Sequence, residues 1–429
     1  MRNVLIVSPR FPPMNAADVH RVRLSLPFYR AYGWNPIVLT CEAEAAGGDD
    51  LLLESFPKDI EIIRVPMWHE DRCRKLGFGQ IDYRSLIPLA RAGARLMKQR
   101  DIPVVFFSTT AFLSFTLGPY WKRRFGCRLV YDIQDPWYQG RESPYAPENA
   151  PGSWRKYKLT QSIARFFEPI VMKAADHLIS VSRGYAAMLR ERYAFLREDQ
   201  FTVLPFPASR RDYELAQNGR VAQTIFKRDG KKHWVYAGRG GPDMNAALSG
   251  LFRGLASLKA EDPKLAERLR LHFVGTNYAP DDRTFKVVEP IARQFGVEDL
   301  VDEQSRRIPY FEVLALYRDS DGVLVIGSDS ADYTASKLFN CVLSDRPVLA
   351  LFHQASLVSR VARDLPCVKL VEFSDDAASE AYHIKVTAGL RWTLETDAHT
   401  PCCDEQIGEW LAEPSTRRQC EIFDRVVAA

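Results

Sequence analysis

A lysine at the start of a short predicted helix has the surroundings of an anion-binding residue. Lys337 follows Ser336, whose hydroxyl can accept a hydrogen bond from an unpaired backbone N–H at a helix N-terminus. The predicted helix, residues 336–343, lies between two apolar segments, 322–327 and 347–351, that are typical of buried parallel strands. Helix N-termini favour anions, so a cation in the first turn is most easily explained by a nearby phosphate. An exposed surface lysine is the alternative.

A second cation lies in a glycine-rich turn. The predicted strand 233–237 ends at Gly238, and Arg239 and Gly240 follow. A planar guanidinium can bind two phosphate oxygens at once, and glycines allow the backbone to approach a phosphate. We therefore expect Arg239 and Lys337 to bind a phosphorylated ligand.

Small side chains follow the first predicted strand, residues 3–8. Ligands bind doubly wound sheets at the carboxyl ends of strands, and the loop 9–18 leads from such an end into a predicted helix, 18–32. The candidate residues of this loop are Asn15, Ala16, Ala17 and Asp18: the two small alanines would let a ligand approach closely, and Asn15 tolerates positive φ angles. A plain connection between a strand and a helix is the alternative.

Asp132 and Asp135 close a later predicted strand, residues 128–132. Two acids at a strand's carboxyl end, beside a turn at Pro136, lie where a substrate would bind. Asp135 could accept a hydrogen bond from an acceptor hydroxyl or position that hydroxyl for attack. Alternatively, it caps a helix or pairs with an arginine such as Arg141.

Alternating strands and helices must position these residues, and that alternation is typical of doubly wound α/β domains. Seven strands are predicted in the first half of the chain: 3–8, 36–40, 60–65, 104–107, 128–132, 177–181 and 201–204. Five follow in the second half: 233–237, 270–275, 300–302, 322–327 and 347–351. Between these two sets of strands, a segment with prolines, glycines and paired charges interrupts the alternation. We therefore predict a first domain over 1–205, a linker over 206–232 and a second domain over 233–414.

Composition excludes several classes of protein. A chain of 429 residues exceeds one ordinary core, and 46% hydrophobic with 26% charged residues is typical of globular proteins. A net charge of +4 does not favour nucleic-acid binding, and no apolar run is long enough to span a membrane. The first residues lack the features of a signal peptide, and the eight cysteines show no metal-ligand spacing. We expect reduced cysteines, a cytoplasmic location and no bound metal.

The motifs around Lys337 resemble those of glycosyltransferase family 4, which are retaining enzymes with the two-domain GT-B fold. The runs Ser336-Lys-Leu-Phe339 and Arg346-Pro-Val-Leu-Ala350 match the family's donor-binding segment. Weaker matches are the Phe11-Pro-Pro13 turn, the segment from Asp132 to Trp137 and the Gly238-Arg239 pair. The sequence departs from the family pattern in having no glycine between residues 14 and 18.

The resemblance implies a fold and a set of site residues. It predicts an α/β protein of the GT-B type, in which two Rossmann-like doubly wound domains face each other across a cleft. The last helix, here 415–429, would return to the first domain. The family's two glutamates fall on Asp332 and Asn340, which implies contacts with the donor sugar and its ribose. The implied donor-binding residues are Gly238, Arg239, Gly240, Ser336, Lys337, Leu338 and Asn340, the loop 15–18 would approach the donor diphosphate, and the catalytic candidates are Asp135 and Asp332.

By the same resemblance, the donor would be a nucleotide diphosphate sugar and the acceptor a glycan, a lipid-linked molecule or a small molecule. The pathway would be synthesis of bacterial surface polysaccharides or glycoconjugates. Protein cations would stabilise the leaving diphosphate without a metal or other cofactor. Basic and aromatic residues in the predicted helices 111–125 and 154–175 suggest contact with the inner face of a membrane, or else a solvated charged surface. Two other functions stay open: a GT-B nucleotide-sugar 2-epimerase and a non-catalytic GT-B partner protein.

Overall fold

Two separate parallel sheets organise the chain. The computed structural model describes residues 1–43, 49–75, 77–140, 153–217, 220–277, 285–329, 337–374, 379–395, 401–402 and 404–429. These residues divide into a first unit, Met1–Phe206 with Ala412–Ala429, and a second unit, Pro207–Leu411. Each unit is a doubly wound α/β domain, as the sequence predicts.

The first unit is built on a seven-stranded sheet in which neighbouring strands run parallel. Its strands are β1 (Arg2–Val7), β2 (Trp34–Cys41), β3 (Glu61–Val65), β4 (Val104–Ser108), β5 (Arg128–Ile133), β6 (His177–Ser180) and β7 (Phe201–Val203). Its helices are α1 (Val19–Ser25), α2 (Glu70–Lys75), α3 (Ile81–Gln99), α4 (Leu117–Phe125), α5 (Trp154–Ala174) and α6 (Arg183–Arg192). The order β3-β2-β1-β4-β5-β6-β7 reverses between β1 and β4, and in doubly wound sheets the crevice at the carboxyl ends of such strands is where ligands bind.

The second unit repeats this plan with six parallel strands. Its strands are β8 (Lys232–Ala237), β9 (Leu269–Val274), β10 (Val301–Gln304), β11 (Gly322–Ile326), β12 (Val348–His353) and β13 (Val368–Phe373). Its helices are α7 (Arg210–Gln217), α8 (Asn245–Glu261), α9 (Pro263–Ala266), α10 (Glu289–Gln294), α11 (Tyr310–Asp319), α12 (Lys337–Val342), α13 (Leu357–Ala362), α14 (Glu380–Glu395) and α15 (Asp404–Ile407). The order β10-β9-β8-β11-β12-β13 reverses between β8 and β11. In doubly wound sheets, ligands bind at the carboxyl ends of strands at such a reversal, here β8 and β11.

The last helix, α16 (Ala412–Ala428), packs in the first unit. Its Phe423 is fully buried, with its ring centroid 5.4 Å from those of Trp34 and Phe106. Gln419 accepts a hydrogen bond from the Tyr29 hydroxyl over 2.7 Å. Full burial of an aromatic side chain stabilises a fold by about 1.5–3 kcal/mol, so α16 is part of the core of this unit.

Several features differ from the sequence-based expectations, among them the sixth strand of the second sheet, β13, which was not predicted. The predicted helix 18–32 ends at Ser25, because Pro27 lacks the backbone N–H that would continue it, and a 3₁₀ turn over Tyr29–Tyr32 follows. The predicted linker, 206–232, contains α7, and residues from Pro207 onward belong to the second unit. The expectation of reduced cysteines is wrong at Cys367 and Cys402, which form a disulfide because the fold brings their Cα atoms within 6.0 Å.

Candidate anion-binding site

The side chain of Lys337 lies against the turn that follows β8. An ideal Cβ atom built on Gly238 would be 1.9 Å from Lys337 Nζ, so any other residue at this position would displace the ammonium group. The ammonium also lies 5.5 Å from the centre of the Tyr236 ring, within cation–π range. The fold therefore brings two predicted site residues, Lys337 and Gly238, into direct contact at the carboxyl end of β8.

The environment of Lys337 disfavours its own charge. The side chain is partly buried, and this burial, with the nearby positive charges of Arg239 and Arg307, lowers the pKa of the ammonium to about 8. Among the residues that the structure describes, no carboxylate forms an ion pair with it. A partly buried cation that has no ion-pair partner among the described residues favours a nearby anion.

Arg239 lies in the same turn but is paired with an acid. Its Nη1 and Nη2 donate to the two carboxylate oxygens of Asp243 over 2.8 and 2.5 Å. Burial alone would raise the pKa of Asp243, but the hydrogen bonds and charge of Arg239 outweigh burial and lower it. The pair is therefore ionised at neutral pH. A phosphate that approached this edge of the guanidinium would have to displace Asp243.

An acid also caps the N-terminus of α8. Oδ2 of Asp329 accepts a hydrogen bond from the Ala246 N–H over 3.4 Å, and the Asp329 N–H donates to the Asp243 carbonyl over 2.6 Å. Burial raises the pKa of Asp329. A carboxylate that accepts from the first N–H groups of a helix acts as a cap. The chain's own acid therefore occupies this helix end, where a ligand anion would otherwise bind.

Gly240 is held by packing rather than left open to a ligand. Its N–H donates to the Thr276 carbonyl over 2.8 Å, and an ideal Cβ atom on it would lie 2.8 Å from Val287 Cγ2. The Thr276 hydroxyl donates to Glu303 over 2.5 Å. The same Glu303 carboxylate accepts hydrogen bonds from the backbone N–H groups of Val287, Val288 and Glu289. Glu303 thus fixes the segment that packs on Gly240.

The remaining predicted donor-binding residues lie on or just before α12. Leu338 is fully buried, so its side chain packs inside the unit instead of contacting a ligand. Oδ1 of Asn340 is buried and has no hydrogen-bond partner among the described residues. An unpaired buried oxygen costs about 1–3 kcal/mol, so this atom favours a ligand hydroxyl or a water as its donor. Asp332 and Ser336 lie outside the described residues.

In the first unit, Asp18 ties the loop after β1 to the end of β4. Its Oδ2 accepts hydrogen bonds from Arg10, from the Thr109 hydroxyl and from both the N–H and the hydroxyl of Thr110, all over 3.0–3.1 Å. Only 2% of Asp18 is exposed. Its neighbours are more accessible, because Asn15 and Ala16 are partly buried and Ala17 is exposed. Asp18 is therefore an anchor of the crevice, and the accessible part of the loop is 15–17.

The two acids that follow β5 have different environments. Asp132 is fully buried and accepts hydrogen bonds from Arg21 Nε, the Ser108 hydroxyl and Gln134 Nε2 over 3.0, 2.8 and 2.7 Å. Asp135 is exposed. Of these two acids, Asp135 is the one that a substrate can reach, while Asp132 is a structural group.

Sequence reasoning missed Tyr236, Asp243 and Arg21. Tyr236 precedes Gly238 by two residues, so the alternation of β8 places both on one face, and its hydroxyl donates to the Arg239 carbonyl over 2.8 Å. The alternation of β8 could therefore have identified Tyr236 from the sequence. Arg21 is fully buried and also donates to the Leu204 and Pro205 carbonyls over 2.5 and 3.0 Å. Nothing in the sequence around Arg21 indicated that its side chain would be buried in these contacts.

Comparisons with known proteins bear on the fold. No protein-family model and no curated protein matches the chain. A glycosyltransferase structure from Rickettsia africae aligns over 99% of this chain and 98% of that chain, with 13% identity and a TM-score of 0.55. Anabaena Alr3699/HepE, solved with UDP and glucose, aligns over 99% and 100% of the two chains, with 13% identity and a TM-score of 0.57. A Listeria monocytogenes protein provisionally named UDP-N-acetylglucosamine 2-epimerase aligns over 97% and 94%, with 12% identity and a TM-score of 0.50.

These alignments span both units of the chain. Together with the two doubly wound parallel sheets, they show that the protein has the GT-B fold, as the sequence predicts. At identities of 12–13%, these alignments support the fold and no conclusion about activity or substrate.

The role of Asp18 as an anchor can be tested by substitution. Asp18→Ala should lower the free energy of unfolding of the first unit by about 2–4 kcal/mol, because it removes the acceptor of the buried Thr109 hydroxyl and of the partly buried donors of Arg10 and Thr110. Urea denaturation followed by circular dichroism measures the change. Asp59→Ala is the control, since Asp59 pairs with Arg30 on the surface, is 67% exposed and should cost less than about 1 kcal/mol. Equal losses in the two variants would contradict the anchor role.

Proposed function

We propose that this protein is a glycosyltransferase that moves a sugar from a nucleoside diphosphate sugar to an acceptor. The observation that carries the proposal is the partly buried ammonium of Lys337, which contacts Gly238 at the carboxyl end of β8 and forms no ion pair with a carboxylate of the described residues. Arg239 and Arg307 add positive charge around it. A diphosphate would place negative charge beside Lys337, where no described carboxylate forms an ion pair. The shared fold supports the proposal, since HepE, a protein of that fold, has been solved with UDP-glucose.

In the proposed reaction, the bond between the sugar's anomeric carbon and the diphosphate breaks. Negative charge then develops on the departing diphosphate, and Lys337 stabilises it in a site from which water is partly excluded. Arg239 joins once the diphosphate has displaced Asp243. By the resemblance to family 4, transfer retains the anomeric configuration, Asn340 bonds a ribose hydroxyl, and Asp332 and Ser336 contact the donor.

Acceptor binding is assigned to the first unit. Asp135 is exposed at the carboxyl end of β5, where its carboxylate can accept a hydrogen bond from an acceptor hydroxyl. The accessible part of the loop after β1, Asn15 to Ala17, would approach the ligand from the same sheet edge. We propose a glycan or lipid-linked acceptor and a cytoplasmic role in surface-polysaccharide or glycoconjugate synthesis.

A basic and apolar face on α5 is the proposed contact with a membrane surface. Leu159, Phe166 and Ile170 share one helix face and are 51%, 64% and 46% exposed. Four exposed cations accompany them: Arg155, Lys158, Arg165 and Lys173. The one acid of α5, Glu168, is buried and bonded to Arg192 and Tyr193. Since no described helix has the length and apolar character of a bilayer span, contact would be peripheral.

Lys337 gives the first test of this function. Lys337→Gln should weaken UDP binding about tenfold to a hundredfold, the scale for a hydrogen bond to a charged group. Isothermal titration calorimetry measures the affinity. Lys264→Gln, an exposed lysine of the same unit, should leave it unchanged. If both variants bind UDP as the wild type does, or if the wild type binds none, the proposal is wrong.

Affinity for UDP should also depend on pH. The free protein's Lys337 loses its charge as pH rises through a pKa of about 8, so wild-type affinity should fall between pH 7.5 and 9.5. The terminal phosphate of UDP has a pKa of about 6, so its charge is constant in this pH range. Binding at pH 9 should therefore take up a proton. The Lys337→Gln variant should lack this pH step, and a step of equal size in both proteins would exclude Lys337 as its source.

Turnover should not require a divalent metal. Among the described residues, no group of three or more histidine, cysteine or acidic side chains is arranged to hold a metal ion. With a panel of UDP and GDP sugars, release of the nucleoside diphosphate should continue in excess EDTA, because protein cations stabilise the leaving group. Loss of turnover on chelation, with recovery on adding magnesium or manganese, would contradict this prediction.

Membrane contact can be measured by sedimentation with vesicles. The protein should bind vesicles of phosphatidylglycerol and phosphatidylcholine and leave pure phosphatidylcholine vesicles unbound. Phe166→Ser should reduce binding about tenfold, through the loss of buried apolar area. Phe195→Ser is the matched control, because Phe195 is 45% exposed but lies outside α5. Equal binding by the two variants would exclude the α5 face.

A further inference from the structure

The helix that carries Lys337 is too short to hold its own position. α12 contains six residues, Lys337–Val342. Isolated helices shorter than about 12–15 residues are marginal in water, so packing must fix this one. Position matters here, because Lys337 Nζ sits 1.9 Å from where a Cβ atom on Gly238 would be. A shift of α12 would force the Lys337 side chain into another conformation to keep its ammonium on the backbone of that turn.

One contact that holds α12 is an aromatic stack. The Phe339 and Trp410 rings lie face to face, with centroids 4.6 Å apart and planes inclined by 9°. Phe339 is only 2% exposed. Stacked pairs add to the stability that burial alone provides. Trp410 belongs to a 3₁₀ turn, Gly408–Trp410, far from α12 in the sequence.

The second contact is a hydrogen bond to the α12 backbone. The Tyr213 hydroxyl donates to the Asn340 carbonyl over 2.5 Å. Tyr213 lies on α7 and is 3% exposed. Burial raises the pKa of this hydroxyl, which keeps it protonated and able to donate. The bond fixes the rotation of α12 about its axis, because it reaches one particular carbonyl.

Both contacts come from the ends of the second unit. Tyr213 is on the first helix after the chain enters this unit at Pro207, and Trp410 precedes its last residue, Leu411. The two ends are joined, since the Ala208 N–H donates to the Trp410 carbonyl over 2.9 Å and Ala208 pairs in parallel with Leu411. The segments that begin and end the unit thus form one support for α12.

We infer that Trp410 and Tyr213 are positioning residues that set the location of Lys337 through α12. Neither contacts Lys337 in the described structure. Trp410 acts through the ring of Phe339, and Tyr213 acts through the backbone of Asn340. This inference rests on the proposed function, because its first test measures the binding of a ligand. A second test without ligand separates a failure of the inference from a failure of the proposed function.

The ligand readout is UDP affinity by calorimetry. Trp410→Leu should weaken binding about tenfold and Tyr213→Phe about threefold, the scales of an aromatic stack and a neutral hydrogen bond. Trp410→Phe should recover most of the loss, because a phenyl ring can still stack on Phe339. Trp68→Leu and Tyr120→Phe, at positions 51% and 49% exposed in the first unit, should bind as the wild type does.

The readout without ligand is the chemical reactivity of Lys337. Its acylation rate by acetic anhydride, followed by mass spectrometry against pH, should rise around pH 8 in the wild type. In Trp410→Leu and Tyr213→Phe the midpoint should move toward the ordinary lysine value of about 10.4, because a displaced ammonium is better hydrated.

An unchanged midpoint in both variants, with circular dichroism showing a folded protein, would overturn the inference. If Trp410→Leu fails to fold, Tyr213→Phe decides the inference, since it removes only the hydroxyl that bonds the Asn340 carbonyl and keeps the ring. Failure of the wild type to bind UDP would refute the proposed function instead. The acylation midpoints would still decide whether Trp410 and Tyr213 position Lys337.

Discussion

A positive charge held against a glycine backbone is the constraint on which the second unit's site depends. Lys337 Nζ occupies the space of a side chain at position 238, where burial lowers its pKa to about 8. A charge in such a place is costly unless something compensates it. The Tyr236 ring offsets part of this cost, and the charges of the neighbouring arginines add to it. The tight packing of α12 follows from the same constraint, because the ammonium keeps this location only if its helix does.

The contact between Lys337 and Gly238 was predictable in outline, although about 100 residues separate them. Apolar strands that alternate with helices predict doubly wound sheets, and the carboxyl ends of parallel strands share one edge. β8 and β11 are neighbours at the strand-order reversal, so the turn after β8 and the segment after β11 meet there. Chain order and strand polarity therefore suffice to bring these two residues together.

The pairing of charged groups could not be predicted, because a sequence shows donors and acceptors without showing which of them meet. Asp18 was expected beside a ligand, yet four protein donors saturate one of its oxygens. Asp132 pairs with Arg21, which lies 111 residues away in the chain. Arg239 was expected to be available to phosphate and instead binds Asp243. Each outcome depends on distances that only the folded chain defines.

These pairings change the roles of the two cations at the proposed diphosphate site. At Arg239, a phosphate that took the place of Asp243 would exchange one anion for another, so much of the gain from its hydrogen bonds would be offset by those lost with Asp243. At Lys337, no ion pair to a described carboxylate has to break, and an anion relieves the cost of burying the ammonium. The net attraction for a diphosphate therefore comes mainly from Lys337. Arg239 contributes mainly orientation, because its planar group binds phosphate oxygens in a fixed geometry.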